Sequence, residues 1–248
     1  MSKKAYFISI CVLALAWCSA AHAAAYRTSA AGGSSSGTGN RTVALVPAVG
    51  DLFVVFCAAA GNTQDAPTMT DDNGGTYTRI RTQSWAISSV NYRLSAFVRN
   101  SLLANTTSTT ITCTTGSNTS GSVIVAVVSG MTRVGASAVL QSAGQSDGVS
   151  GAAPAPAFGS NALTANMTIG AVANGTNPAT MTNPTNWTER LDVGFTSDTL
   201  GQEVVTRDSG FTNSTITWGS NSGSNFGSII VELDTSALLI RPGFFFVF

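Results

Sequence analysis

The sequence predicts an all-β chain folded as a two-sheet antiparallel β-sandwich with jelly-roll-like topology, and three observations carry that expectation. The unbroken apolar runs Leu52 to Ala60 and Val123 to Val128 have the length of strands buried on both faces. Val90, Tyr92, Leu94, Ala96 and Val98 alternate with mostly polar neighbours, the period of a half-buried strand. Thr and Val, which suit a pleated surface, recur between Asn, Gly and Pro punctuation, and no window after the N-terminus carries a helical period.

A chain of 248 residues is long enough for a substantial core. Only 10% of it is charged and the formal net charge is zero, so the basic surplus needed for a sequence-neutral grip on nucleic acid is missing. Its 25 glycines follow no Gly-X-Y period and Lys and Glu are scarce, which excludes collagen and coiled coil.

Residues 1–23 read as an export signal. Lys3 and Lys4 precede an uncharged stretch from Ala5 to Cys18, and Ala21-His22-Ala23 supplies the small-x-small cleavage pattern. The apolar stretch falls short of the roughly 20 residues of a membrane span. Membrane involvement is therefore expected only during export, and the exported chain at a cell or virion surface. Cleavage after Ala23 would remove both lysines, the single histidine, Cys11 and Cys18. Cys57 and Cys113 would remain as an even pair in an oxidising compartment, where they are expected to form a disulfide.

Residues 24–40 are rich in Gly, Ser and Ala and read as a flexible linker. The sandwich is expected over 41–236. Further strands are expected around Ile111 and Cys113, from Leu163 to Ala171, around Ile216 and Trp218, and from Ile229 to Leu233. An internal repetition is also legible. Thr68-Met69-Thr70 returns as Thr180-Met181-Thr182, Thr110-Ile111-Thr112-Cys113 as Thr215-Ile216-Thr217-Trp218, and Gly121-Ser122-Val123 as Gly227-Ser228-Ile229, all in the same order. Two similar halves, about 41–131 and 160–235, follow, separated by the loop-like stretch Gly144 to Gly159. One sandwich built from two halves is expected, with two tandem domains as the alternative.

Gly50-Asp51-Leu52-Phe53-Val54-Val55, Asp72-Asn73-Gly74-Gly75-Thr76-Tyr77-Thr78 and a closing apolar strand together resemble a widespread β-sandwich module. Such modules occur in bacterial surface proteins and phage virion proteins, mostly without an assigned activity. The resemblance spans about 41–236 and implies a fold and a surface setting, with no catalytic residue. An immunoglobulin pattern fits less well, because Trp85 lies too far beyond Cys57 and Ile111 stands where the corner tyrosine belongs.

Without histidine or lysine, the exported chain cannot assemble a serine triad, a Cys-His pair or a phosphate loop. Paired carboxylates survive as chemistry; Glu189, Asp192, Glu203 and Asp208 are candidates but are scattered without signature spacing. Asp71, Asp72 and Asn73, followed by Gly74 and Gly75, form the densest oxygen cluster; it reads as a hairpin turn, with a partial calcium site as the alternative. Trp85, Trp187, Trp218 and Tyr77, with Tyr92, could stack on a sugar, although core packing is their ordinary role. Seven Asn-x-Ser/Thr triplets, at Asn40, Asn105, Asn118, Asn166, Asn174, Asn186 and Asn213, read as surface positions.

The tail 237–248 ends in Phe244, Phe245, Phe246, Val247 and Phe248, an apolar strand that needs a cover: its own domain, a neighbouring subunit, or outer-membrane assembly machinery. The function expected is a non-enzymatic structural or attachment module, partnered by itself or by other surface or virion proteins. A carbohydrate-binding module, with calcium as its only conceivable cofactor, is the alternative.

Overall fold

A computed structural model of the chain describes residues 24–34, 40–61, 67–116, 120–147, 152–175, 182–195, 200–219 and 225–236. The export segment and the phenylalanine tail, with Phe244, Phe245, Phe246 and Phe248, lie outside the described residues. Thirteen strands form among those described: β1 (Ala25–Ser34), β2 (Asn40–Leu45), β3 (Leu52–Gly61), β4 (Thr68–Asp71), β5 (Tyr77–Ile87), β6 (Val90–Arg99), β7 (Thr109–Thr114), β8 (Ser120–Ser129), β9 (Val139–Asp147), β10 (Thr168–Asn174), β11 (Thr188–Phe195), β12 (Leu200–Arg207) and β13 (Phe226–Leu233). A 3-10 turn at Gly135–Ala138 links β8 to β9.

Two five-stranded antiparallel sheets pack together as a sandwich, with strand orders β1-β8-β3-β6-β5 and β11-β12-β10-β13-β9. A three-stranded sheet, β2-β7-β4, covers the outer face of the first. The period-two alternation of a strand sends each element to two cores at once. Leu52, Val54, Phe56, Ala58 and Ala60 of β3 enter the layer between the two large sheets, where Ile169, Ala171, Ile229 and Val231 meet them. Phe53, Val55 and Cys57 point the other way, onto Val43, Met69, Ile111 and Cys113 of the small sheet. The second large sheet does the same: Val172, Val205, Phe226 and Ile230 pack outward against Phe158, Phe211, Ile216 and Trp218 from irregular segments. This explains why the apolar runs do not alternate.

The two large sheets repeat each other strand for strand. Reading the first sheet from β1 to β5 and the second from β9 to β11 gives the same succession of first, last, central and paired strands. Even the irregularities recur. The edge strand of each half carries a bulge opposite its neighbour, between Tyr26 and Thr28 in β1 and between Val139 and Gln141 in β9. A second bulge interrupts β5 between Arg79 and Arg81 and β11 between Glu189 and Leu191. Bulges are specific local structures, so their coincidence is stronger support for an internal repeat than matching threonines. The outer layer recurs in reduced form. Ala157 bridges Thr215, Ile216 N–H donates to the Pro156 carbonyl (3.2 Å), and Trp218 N–H to that of Pro154 (2.9 Å), in the manner of β2 against β7.

Four expectations are corrected by this arrangement. Residues 25–34 are not a linker: β1 pairs with β8 along its length, and Ala24 is buried beside it. Its small residues suit the close approach of β2, since a Cβ on Gly32 would sit 1.9 Å from the Thr42 carbonyl oxygen. The repeat accordingly begins at β1 and at β9 (Val139–Asp147), which takes Gly144 to Asp147 out of the expected loop. The register of the last match also moves by one residue. Ile124 and Ile229 share the central layer, facing Phe56 and Ala171, so Ile124 corresponds to Ile229. Finally, β10 starts at Thr168, and Leu163 is exposed ahead of it.

The halves join face to face. Edge strand β1 lies against β11 and edge strand β5 against β9, an exchange symmetric under the repeat. Trp85 of β5 stacks on Tyr92 (5.4 Å between centroids) and presses onto Gly227 of β13, where an added Cβ would lie 2.3 Å from the indole. At the other edge, the Arg190 guanidinium sits 3.8 Å over the Tyr26 ring.

Cys57 of β3 and Cys113 of β7 are bonded, tying the first large sheet to its covering sheet at a Cα separation of 6.4 Å. The bond closes a sequence separation of 56. Replacing both cysteines by alanine is expected to cost about 2–4 kcal/mol, read as a lower denaturant midpoint with a somewhat steeper slope, because the unfolded chain without the cross-link exposes more surface. A midpoint unaffected by the replacement and by reductant would contradict this role.

Candidate functional site

Equivalent ends of the two halves, where β5 or β11 begins beside the end of β6 or β12, carry arginine-centred polar groups. In the first half, Tyr77 opposes Arg99 across β5 and β6. Asp71, at the end of β4, reaches between them. Its carboxylate accepts hydrogen bonds from Arg99 Nε (2.7 Å), the Tyr77 hydroxyl (2.9 Å), Gly75 N–H (2.7 Å) and Asn73 N–H (3.0 Å). The turn must be glycine at position 75, because a Cβ there would lie 2.1 Å from Asp71 Oδ2. Burial alone pushes the Asp71 carboxyl up. The hydrogen bonds from Arg99, Gly75 and Tyr77 and the Arg99 charge outweigh it and hold the group below the usual carboxylate range. Tyr77 is driven well above the usual tyrosine range by the same burial and by the Asp71 charge.

This network matches the turn reading of Asp71, Asp72 and Asn73 and engages oxygens that a calcium site would draw on. Both Asp71 oxygens are engaged, Asp72 Oδ1 accepts from Thr110 N–H (3.0 Å), and Asn73 Nδ2 donates to Thr109 Oγ1 (2.6 Å). A cation needs six to eight oxygens converging on one point, whereas both Asp71 oxygens serve the turn, Tyr77 and Arg99. Among the described residues no cluster of three His, Cys, Asp or Glu side chains has metal-binding geometry.

The corresponding end of the second half is open. A cavity of about 320 Å³ is lined by Trp187, Arg207, Phe211, Asn213, Thr215 and Thr217, with the Pro184-Thr185-Asn186 turn at its rim. Alternation explains the lining: Ile216 and Trp218 point into the core, leaving Thr215 and Thr217 exposed. Trp187 is half-buried and meets the edge of Phe211 at 5.2 Å. Arg207 Nε donates to the Ser209 carbonyl (3.3 Å) and Nη2 to that of Gly210 (2.6 Å).

Of the four aromatics expected to form a sugar platform, only Trp187 lines this cavity. Trp85 is enclosed between the large sheets and Trp218 in the outer core, so neither presents a face to a ligand. Tyr77 lies at the equivalent end of the other half, its hydroxyl spent on Asp71. Sequence reading did not single out Arg207, Phe211 or Asn213 as site residues. Only the relation of Arg207 to Arg99 by the repeat could have drawn attention to it.

The scattered carboxylates take separate roles. Glu203 is buried, and its Oε1 accepts the Trp218 indole N–H at 3.0 Å. Burial pushes its carboxyl up to about 7, helped by the Glu189 and Asp192 charges and opposed by the Trp218 hydrogen bond. Glu189 accepts from Asn183 Nδ2 (2.9 Å) at the surface, and Asp208 pairs with Arg190 at 3.5 Å. Two of the Asn-x-Ser/Thr positions, Asn166 and Asn174, are buried; Asn166 Nδ2 donates to Glu232 (2.7 Å) and is structural. No protein-family model, curated protein or solved structure matches the chain.

The two perturbed carboxyls act in opposite directions on stability. Asp71, lowered, adds stability above the ordinary carboxylate range that is lost as pH falls through its folded value. Glu203, raised, is most favourable while protonated, and its contribution declines as pH climbs from about 4.5 to about 7. Thermal unfolding across pH should therefore show Asp71→Asn weakened by about 3 kcal/mol at neutral pH, since it strands the Arg99 charge. Glu203→Gln should match the wild type in acid and exceed it by about 3 kcal/mol above pH 7. A Glu203→Gln profile parallel to wild type would contradict the assignment.

Proposed function

We propose that this is an exported, non-enzymatic β-sandwich protein serving as a structural or attachment module on a cell or virion surface. The observation that supports the reading is the investment of both faces of both large sheets in packing. Such a body is stiff and offers its ends and edges for partners, as a spacer or adhesive module requires. The export pattern of residues 1–23 and the apolar tail agree with this setting. The carboxyl most perturbed toward neutral pH, that of Glu203, is enclosed beneath Trp218 where no substrate reaches it, which favours a non-catalytic reading. Copies of the same chain or other surface proteins are the partners.

A second reading, carbohydrate binding, is favoured by the cavity beside Trp187, whose aromatic wall and exposed hydroxyl and amide groups suit a sugar. Light scattering of the exported chain beside a version ending at Ser236 tests the first. The full chain is expected to assemble and the shorter one to stay monomeric, making the tail an assembly strand. Two strict monomers that bind no surface, glycan or partner would overturn the proposal.

A further inference from the structure

We infer that the cavity at the open end of the second half is a binding site for an acidic sugar, with Arg207 receiving its carboxylate; this rests on the carbohydrate-binding reading of that cavity. The argument comes from comparing the two halves. In the first, Arg99 is the last residue of β6 and pairs with Tyr77, the first of β5. Its Nη1 donates to the carbonyls of Ser101 (3.0 Å) and Leu102 (3.4 Å), while its Nε is taken by Asp71. In the second half, Thr188 pairs with Thr206, so Trp187 and Arg207 are the next residues outward, where Tyr77 and Arg99 stand. Arg207 likewise caps the carbonyls two and three residues on, Ser209 and Gly210.

What differs is the acid. The turn that carries Asp71 is closed by Gly74 N–H on the Asp71 carbonyl (3.2 Å). The turn ahead of Trp187, closed by Trp187 N–H on the Pro184 carbonyl (3.1 Å), carries no carboxylate: residues 183–187 are Asn, Pro, Thr, Asn and Trp. Among the described residues no carboxylate pairs with Arg207, and its Nη1 hydrogens have no acceptor. The space beside it is the 320 Å³ cavity, within the range of small-ligand sites of about 300–1,000 Å³. A guanidinium with free donors selects a planar carboxylate from neutral groups. Trp187 supplies an apolar wall for the ring, and Asn213, Thr215 and Thr217 supply partners for hydroxyls. A ligand carboxylate would thus take the place that Asp71 fills in the first half.

Calorimetric titration of the full chain with galacturonate and glucuronate, each beside its methyl ester, the neutral sugar and acetate, tests this. At least one uronate is expected to bind at least tenfold more tightly than its ester, its neutral sugar or acetate. Arg207→Gln should lose at least tenfold and Arg207→Lys less, with circular dichroism unchanged for both. Uronate, ester and neutral sugar binding alike would overturn the Arg207 assignment while leaving carbohydrate binding standing. Acetate binding as well as uronate would remove the sugar from the proposal. No binding by any sugar would overturn both readings, and undiminished uronate binding by a folded Arg207→Gln would place the site elsewhere.

Discussion

The apolar layer shared by the two five-stranded sheets is the constraint on which the rest of the architecture depends. Each half has its own outer cover, but the inner face of each large sheet has only the other half to meet it. A single half would expose Phe56, Leu94, Ile124 and their neighbours as one continuous apolar face, far beyond what a soluble monomer tolerates. Covalent linkage through the turn at Gly135–Ala138 makes the pairing intramolecular and independent of concentration. The arrangement has the symmetry of a two-fold dimer, in which the same patch serves both partners. Yet its fine fits are one-sided. Trp85 finds Gly227, and Gln83 finds Gly144, where a Cβ would lie 2.3 Å from its amide nitrogen. Such fits fix the register of one face on the other.

The two halves solve one problem differently. In the first, Cys57 pairs across the sheet with Ser95 and bonds outward to Cys113. In the second, the corresponding cross-strand pair is Val172 with Glu203, and Trp218 stands where Cys113 does. The indole needs room that Gly170 provides, since a Cβ there would approach within 2.7 Å. It also needs an acceptor, and Glu203 supplies it. A large buried aromatic with a hydrogen-bonded ring nitrogen thus replaces a covalent link, at the cost of burying a carboxyl. The end of each half diverges in the same spirit: the first closes on an internal ion pair, the second stays open around an arginine.

Much of the fold was legible because burial on both faces leaves unmistakable apolar runs, as in Leu52 to Ala60 and Val123 to Val128. The disulfide was legible from parity alone. What escaped was whatever the sequence disguises as polar or small. The first strand, Ala25–Ser34, reads as linker because its Gly and Ser allow β2 to approach and its hydrogen bonds to β8 leave no mark in composition. The strand Leu200–Arg207 carries buried Gln202 and Glu203, whose partners Ser122, the Phe56 carbonyl and Trp218 lie far away in sequence. For the same reason Asp71 and its neighbours resemble a calcium loop until Arg99 is brought beside them. Arg207 became recognisable as a candidate only once the repeat register was established strand by strand.

The most direct test of the shared layer is native-state hydrogen exchange on the intact chain. Central-strand amides of both halves, Val54 and Ala126 in the first and Ala171 and Val231 in the second, should exchange through one global opening with a common free energy. Their denaturant dependence should also coincide, because neither inner face can be uncovered without the other. Exchange of β10 and β13 at a markedly lower free energy, with β3 and β8 still protected, would mean that the halves fold independently and would contradict the account.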